Sequence, residues 1–78
     1  MPTVLRIGAY RFFFFAGDKS EPAHVRIERD DNLAKFWLDA VRLQSSGGFS
    51  RHEIAMIQIL VIEHQQYLLE AGYGYFNN

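Results

Sequence analysis

Cysteine is missing from all 78 residues, so neither a disulfide framework nor a thiolate metal site holds this chain together. That absence fits a reducing compartment, and a cytoplasmic location is the expectation. Long apolar runs are missing too. The longest, residues 12–16 and 59–62, are far too short to cross a bilayer. Met1-Pro2-Thr3-Val4 has neither the basic region nor the apolar stretch of a signal peptide. No block of one charge sign occurs, and the formal net charge is -1, which excludes a strong global field for steering nucleic acid.

Catalytic and metal-binding patterns are equally scarce. His24, His52 and His64 show no HxH or HExxH spacing. His52-Glu53 begins like a zinc-protease helix, but Met56 occupies the place of the second histidine. Ser20, Ser45, Ser46 and Ser50 sit in turn or cap contexts without the glycines of a nucleophile elbow. Gly47-Gly48 lacks the lysine of a phosphate loop. No catalytic residue, metal or cofactor is expected.

What is present reads as one small α+β domain over residues 1–78. Apolar residues make up 49% and charged ones 22%, which excludes a disordered chain. Aromatics at 15% supply large buried area per residue, and that helps a core this small reach sufficiency. β-branched, aliphatic and aromatic runs bounded by turn residues at 3–7 and 11–15, and alternation at 23–29 and 33–38, predict an antiparallel sheet of about four strands within residues 3–43. Residues 39–43 either prolong the sheet or bend away from it, and 44–48 read as a flexible loop. Four consecutive phenylalanines, Phe12 to Phe15, cannot alternate cleanly. Either both faces of that strand are covered, or two rings lie on the outer face.

One long C-terminal helix is expected over residues 50–72, with a short tail at 73–78. Ser50 and Glu53 have capping-box spacing, Phe49 and Ile54 are placed for a hydrophobic staple, and Gly72 is a stop signal. At about 100° per residue the apolar positions form two groups. The broad one holds Ile54, Met56, Ile57, Leu60, Val61, Tyr67, Leu68 and Ala71, and faces the sheet. The narrow one holds Ala55, Ile59, Ile62 and Leu69. It either meets the segment from Tyr73 to Phe76 or forms an interface with another copy or partner.

Two groups of polar residues stand out. His64 lies within the broad stripe, where it is read as packed, with a ring nitrogen bonded to backbone or to the sheet; the alternative is a buried acid/base or binding group. His24, Arg26 and Glu28 alternate on one strand, with Lys35 and Trp37 on the same face. Cations beside a ring suit single-stranded RNA, but an antiparallel sheet's outer face is polar anyway.

Particular segments, MPTVLRIGAY, RFFFF, EPAHVRIER, AKFWLDAVRL, GFS and Glu63-His64, resemble a prokaryotic family, the domain of unknown function 4160. The resemblance covers nearly the whole chain. It implies a short stand-alone bacterial protein without assigned activity. Its members are often encoded beside a protein of the domain of unknown function 2442 family. That pairing implies a protein partner and a toxin–antitoxin-like module. This sequence has Arg26 where the family reads a second histidine, and Ala40 where proline is common. Ala55, Met56, Ile59 and Ile62 replace residues usually charged in relatives, which points to an assembly, such as a homodimer, particular to this protein. The functional expectation is a protein-binding component, with RNA contact or cleavage through the outer sheet face as the alternative.

Overall fold

The computed structural model describes residues 3–15, 17 and 20–76. Five strands and two helices follow in order: β1 Thr3–Ile7, β2 Tyr10–Phe13, β3 His24–Arg29, β4 Asn32–Leu38, β5 Val41–Gly47, α1 Arg51–Glu63 and α2 Gln65–Phe76. The sheet is an antiparallel meander in the order β1-β2-β3-β4-β5, and both helices pack against it. The α+β expectation holds, with one more strand and one more helix than the pattern suggested. Of the expected loop and tail, residues 16, 18, 19, 77 and 78 lie outside the described residues.

Hairpin chemistry sets the meander. Ile7 pairs with Tyr10 across Gly8-Ala9, and Gly8 at φ 57° supplies the positive angle that a two-residue turn needs. Asp30 at φ 55° does the same between Arg29 and Asn32, since a short polar side chain tolerates that region. The fifth strand joins residues 41–43, for which prolonging the sheet was one of two expectations, to residues 44–47, expected in a loop. Gln44, Ser45 and Ser46 have no apolar alternation, yet β5 pairs with β4 from Leu38↔Val41 to Leu33↔Gly47, with one bulge. An edge strand needs apolar side chains on little of its surface, so its pattern is weak.

One core lies between sheet and helices. Phe12, Phe14, Val25, Ile27, Ala34, Phe36 and Leu38 from the sheet side meet Ile57, Val61 and Leu68. The phenylalanine run divides between the faces. Phe12 and Phe14 are buried in this core, whereas Phe13 lies on the outer face beneath the Arg11 guanidinium, 4.4 Å from the ring centroid. Phe15 is exposed beside Arg26, at 5.1 Å.

The helical segment departs from expectation in two places. It breaks at His64, whose φ of -109° and ψ of 16° leave the helical region. The Leu60 carbonyl accepts from both the His64 backbone N–H (3.1 Å) and its ring Nδ1 (2.9 Å). A side chain entering the backbone ladder is a recognised cause of such a break. Gln65 then anchors the start of α2, its Nε2 donating to the Leu38 carbonyl at 2.6 Å. Gly72 is not a stop. It is buried inside α2, where a Cβ would come 3.2 Å from Cζ of Phe14, and the helix runs on to Phe76. The absence of a side chain lets α2 lie close over that ring.

Candidate functional site

Cross-strand register places the polar candidates. Directly opposed residues share a face, so Arg6↔Arg11↔Glu28, Phe13↔Arg26↔Lys35 and His24↔Trp37↔Arg42 form three rows on the outer face. His24, Arg26, Lys35 and Trp37 are therefore neighbours, as expected. Their exposure is not what an open binding face requires. His24 is 1% exposed and Lys35 only 8%. The Lys35 ammonium bonds the Glu21 carboxylate and lies 5.4 Å from the Trp37 ring, and Arg11 bonds Glu28 at 2.7 Å. Much of the positive charge is thus spent within the face.

His24 lies where that face meets the end of α2. The ring centroids of Trp37, nearly perpendicular to the imidazole, and of Phe76 each stand 6.0 Å from the imidazole centroid. Its Nδ1 is 2.9 Å from the Pro22 carbonyl. A carbonyl can only accept, so Nδ1 is the donor of this bond. A cleft of about 460 Å³ opens here, lined by Glu21, His24, Leu38, Leu69, Tyr73 and Phe76 among others. Leu69, expected on the interface stripe, instead packs against the core and lines this cleft.

Arg42 was missed by the sequence reading, because the strand that carries it has no clear pattern. It stands opposite Trp37, and with Pro22, Asp39 and Ala40 they line a shallow hollow of about 300 Å³. Among the described residues, no group of three His, Cys, Asp or Glu is placed to hold a metal. His64, half-buried at the end of α1, is committed to the Leu60 carbonyl.

The second candidate surface is the outer side of α1. Met56, Ile59 and Ile62 are 46%, 56% and 52% exposed, and Ala55 is exposed beside them. Met56 was expected toward the sheet. Ile57 and Val61 of the same group enter the core as expected, whereas Met56, at its edge, is exposed beside the narrow stripe. Tyr67, also expected inward, is exposed with its hydroxyl donating to the Val4 carbonyl at 3.0 Å.

The sheet side of α1 is held by an ion-pair cluster. Ser50 Oγ accepts from the Glu53 N–H at 3.1 Å, which is the expected cap. The Glu53 carboxylate turns to the sheet, where Arg29 donates from Nε (2.6 Å) and Nη2 (2.8 Å) and the Tyr10 hydroxyl donates at 2.8 Å. Arg29 first, and Tyr10 second, hold this carboxyl below its ordinary pKa. Burial and the neighbouring carboxylate raise that of Tyr10.

Among the described residues, no helix is long and apolar enough to cross a membrane. No curated protein and no solved structure matches the chain. The family model described as Domain of unknown function (DUF4160) does match, over residues 9–71, from the β1–β2 turn into α2. With that match spanning both the sheet and the helices, the chain belongs to the DUF4160 family.

Proposed function

We propose that this protein is a binding component that works through protein–protein contact, with the outer side of α1 as the contact surface. The observation behind this reading is the run of exposed Ala55, Met56, Ile59 and Ile62 on a capped helix whose opposite side is packed on the core. Contiguous apolar surface costs free energy while it faces water, so its coverage by another protein is favourable. The role is one half of a toxin–antitoxin-like pair, with a small protein encoded nearby, of the domain of unknown function 2442 family, as partner. Co-expression of the two genes tests it. A complex that survives purification, and that Ile59→Asp with Ile62→Asp disrupts, is the expected result. No complex, or one indifferent to both changes, overturns it.

One observation favours a second reading. Trp37 and Arg42 line a hollow on a face that also carries Arg6, Arg11, Arg26 and Lys35 against Glu21 and Glu28. Stacking on Trp37 with phosphate contact from Arg26 and Arg42 would hold single-stranded RNA. Affinity would then fall with added salt, and Arg26→Ala and Arg42→Ala would each weaken binding. RNA binding unchanged by both substitutions removes this reading.

A further inference from the structure

The apolar stripe of α1 is framed by charge in an asymmetric way. Arg51 and His52 are exposed at the N-terminal end and Glu63 is exposed at the other. Glu53, the acidic residue of the first turn, does not offset the basic end on this side, because its carboxylate is held inward by Arg29 and Tyr10. The last turn carries no basic residue. The outer side of α1 is therefore positive at its start, apolar in the middle and negative at its end. The helix dipole has the same polarity, partial positive at the N-terminus and partial negative at the C-terminus.

A surface of that kind complements itself when two copies run antiparallel. From this complementarity we infer that, in the free protein, a second copy covers the stripe, with the two α1 helices antiparallel about a twofold axis near Ile59. The inference rests on the reading of α1 as the contact surface and names the occupant. The axis brings Ile59 against Ile59 of the second copy and Met56 against Ile62 of the second copy. His52 comes to within about one helical turn of Glu63 of the second copy. Each contact occurs twice, as an isologous interface requires. A parallel arrangement would instead place Arg51 against Arg51 and Glu63 against Glu63. Such a contact is small, in the class of weak or transient interfaces. Its dissociation constant is expected in the micromolar range or above.

Sedimentation equilibrium of the full chain at micromolar to millimolar concentrations tests this. The expected result is a reversible monomer–dimer equilibrium whose dissociation constant rises about tenfold or more with Ile59→Asp. The substituted side chain is exposed, so the fold should persist, and circular dichroism confirms it. Register is tested separately. Glu63→Lys alone should weaken the dimer by placing two basic groups together, and His52→Glu combined with Glu63→Lys should restore it. Within one chain these two positions are too far apart to interact, so restoration reports contact between copies.

A wild-type chain that stays monomeric throughout overturns the inference. So does a dimer indifferent to Ile59→Asp, which would place association elsewhere, such as the β5 edge. A charge reversal that the double change fails to repair overturns the antiparallel register. If the chain is monomeric while Ile59→Asp and Ile62→Asp abolish capture of the partner, the contact-surface reading stands and this inference alone fails.

Discussion

At the scale of single residues, Glu53 has more than one task. Its backbone N–H completes the Ser50 cap while its carboxylate ties α1 to β2 and β3 through Tyr10 and Arg29. The carboxyl's pKa is lowered in the fold. Its contribution is therefore complete above the unfolded-state value, and is lost as pH falls through the lower folded value. Glu53→Gln should reduce stability at neutral pH, and the gap from wild type should close on acidification. Denaturant midpoints measured over a pH series check both the sign and the convergence. A gap that stays constant into acid would mean that the ion pair contributes nothing measurable.

The same residue marks a limit of sequence reading. Serine followed three positions later by glutamate gives the cap directly, because capping is a local geometry. The partners of the carboxylate come from strands far away in the chain, and no local rule points to them. His24 failed in the same way. Period-two alternation put it on the outer face, as the register confirms. Alternation says nothing of Phe76, which arrives from the far end of the chain to cover it. Arg26, Lys35 and Trp37 were legible as neighbours, but the Glu21 contact that closes over Lys35 was not.

Among the elements, the helices carry the main departures. A continuous projection over residues 50–72 puts Leu69 and Ile59 on one stripe, but α1 ends at Glu63 and α2 starts at Gln65, with Ile59 exposed and Leu69 packed against the core. The signal was a histidine able to reach back to the Leu60 carbonyl. Nothing in the sequence alone distinguished that bond from one to the sheet. Gly72 has two meanings in sequence, a stop or a close approach, and only the position of Phe14 decides between them. Gly72→Val should cost about 1–3 kcal/mol through overpacking against that ring. Gly72→Ala should cost much less. Its single Cβ needs only a small shift of the ring, and replacing glycine inside a helix regains up to about 1 kcal/mol. Thermal or denaturant unfolding of both variants checks the order. A Gly72→Val protein as stable as Gly72→Ala would contradict the close packing of α2.

At the scale of the whole molecule, two surfaces compete for a functional role, and their chemistry separates them. The outer sheet face satisfies much of its charge internally: Arg11 meets Phe13 and Glu28, and Lys35 meets Glu21 and Trp37. The outer side of α1 satisfies nothing internally, since Met56, Ile59 and Ile62 project from a well-anchored helix. The α+β architecture and four of the five strands were legible because β3 and β4 follow apolar alternation and β1 and β2 are β-branched or aromatic runs bounded by turn residues. β5 was not, because its Gln and Ser residues resemble a loop until β4 offers them a pairing edge.

The central claim, that α1 presents the contact surface, is tested most directly by mapping backbone amide chemical shifts as the protein is concentrated and as the co-expressed partner is added. The account predicts that shifts gather at Ala55, Met56, Ile59 and Ile62 and leave Arg26, Trp37 and Arg42 unmoved. Shifts confined to the sheet face, or none on α1 under either condition, would contradict it.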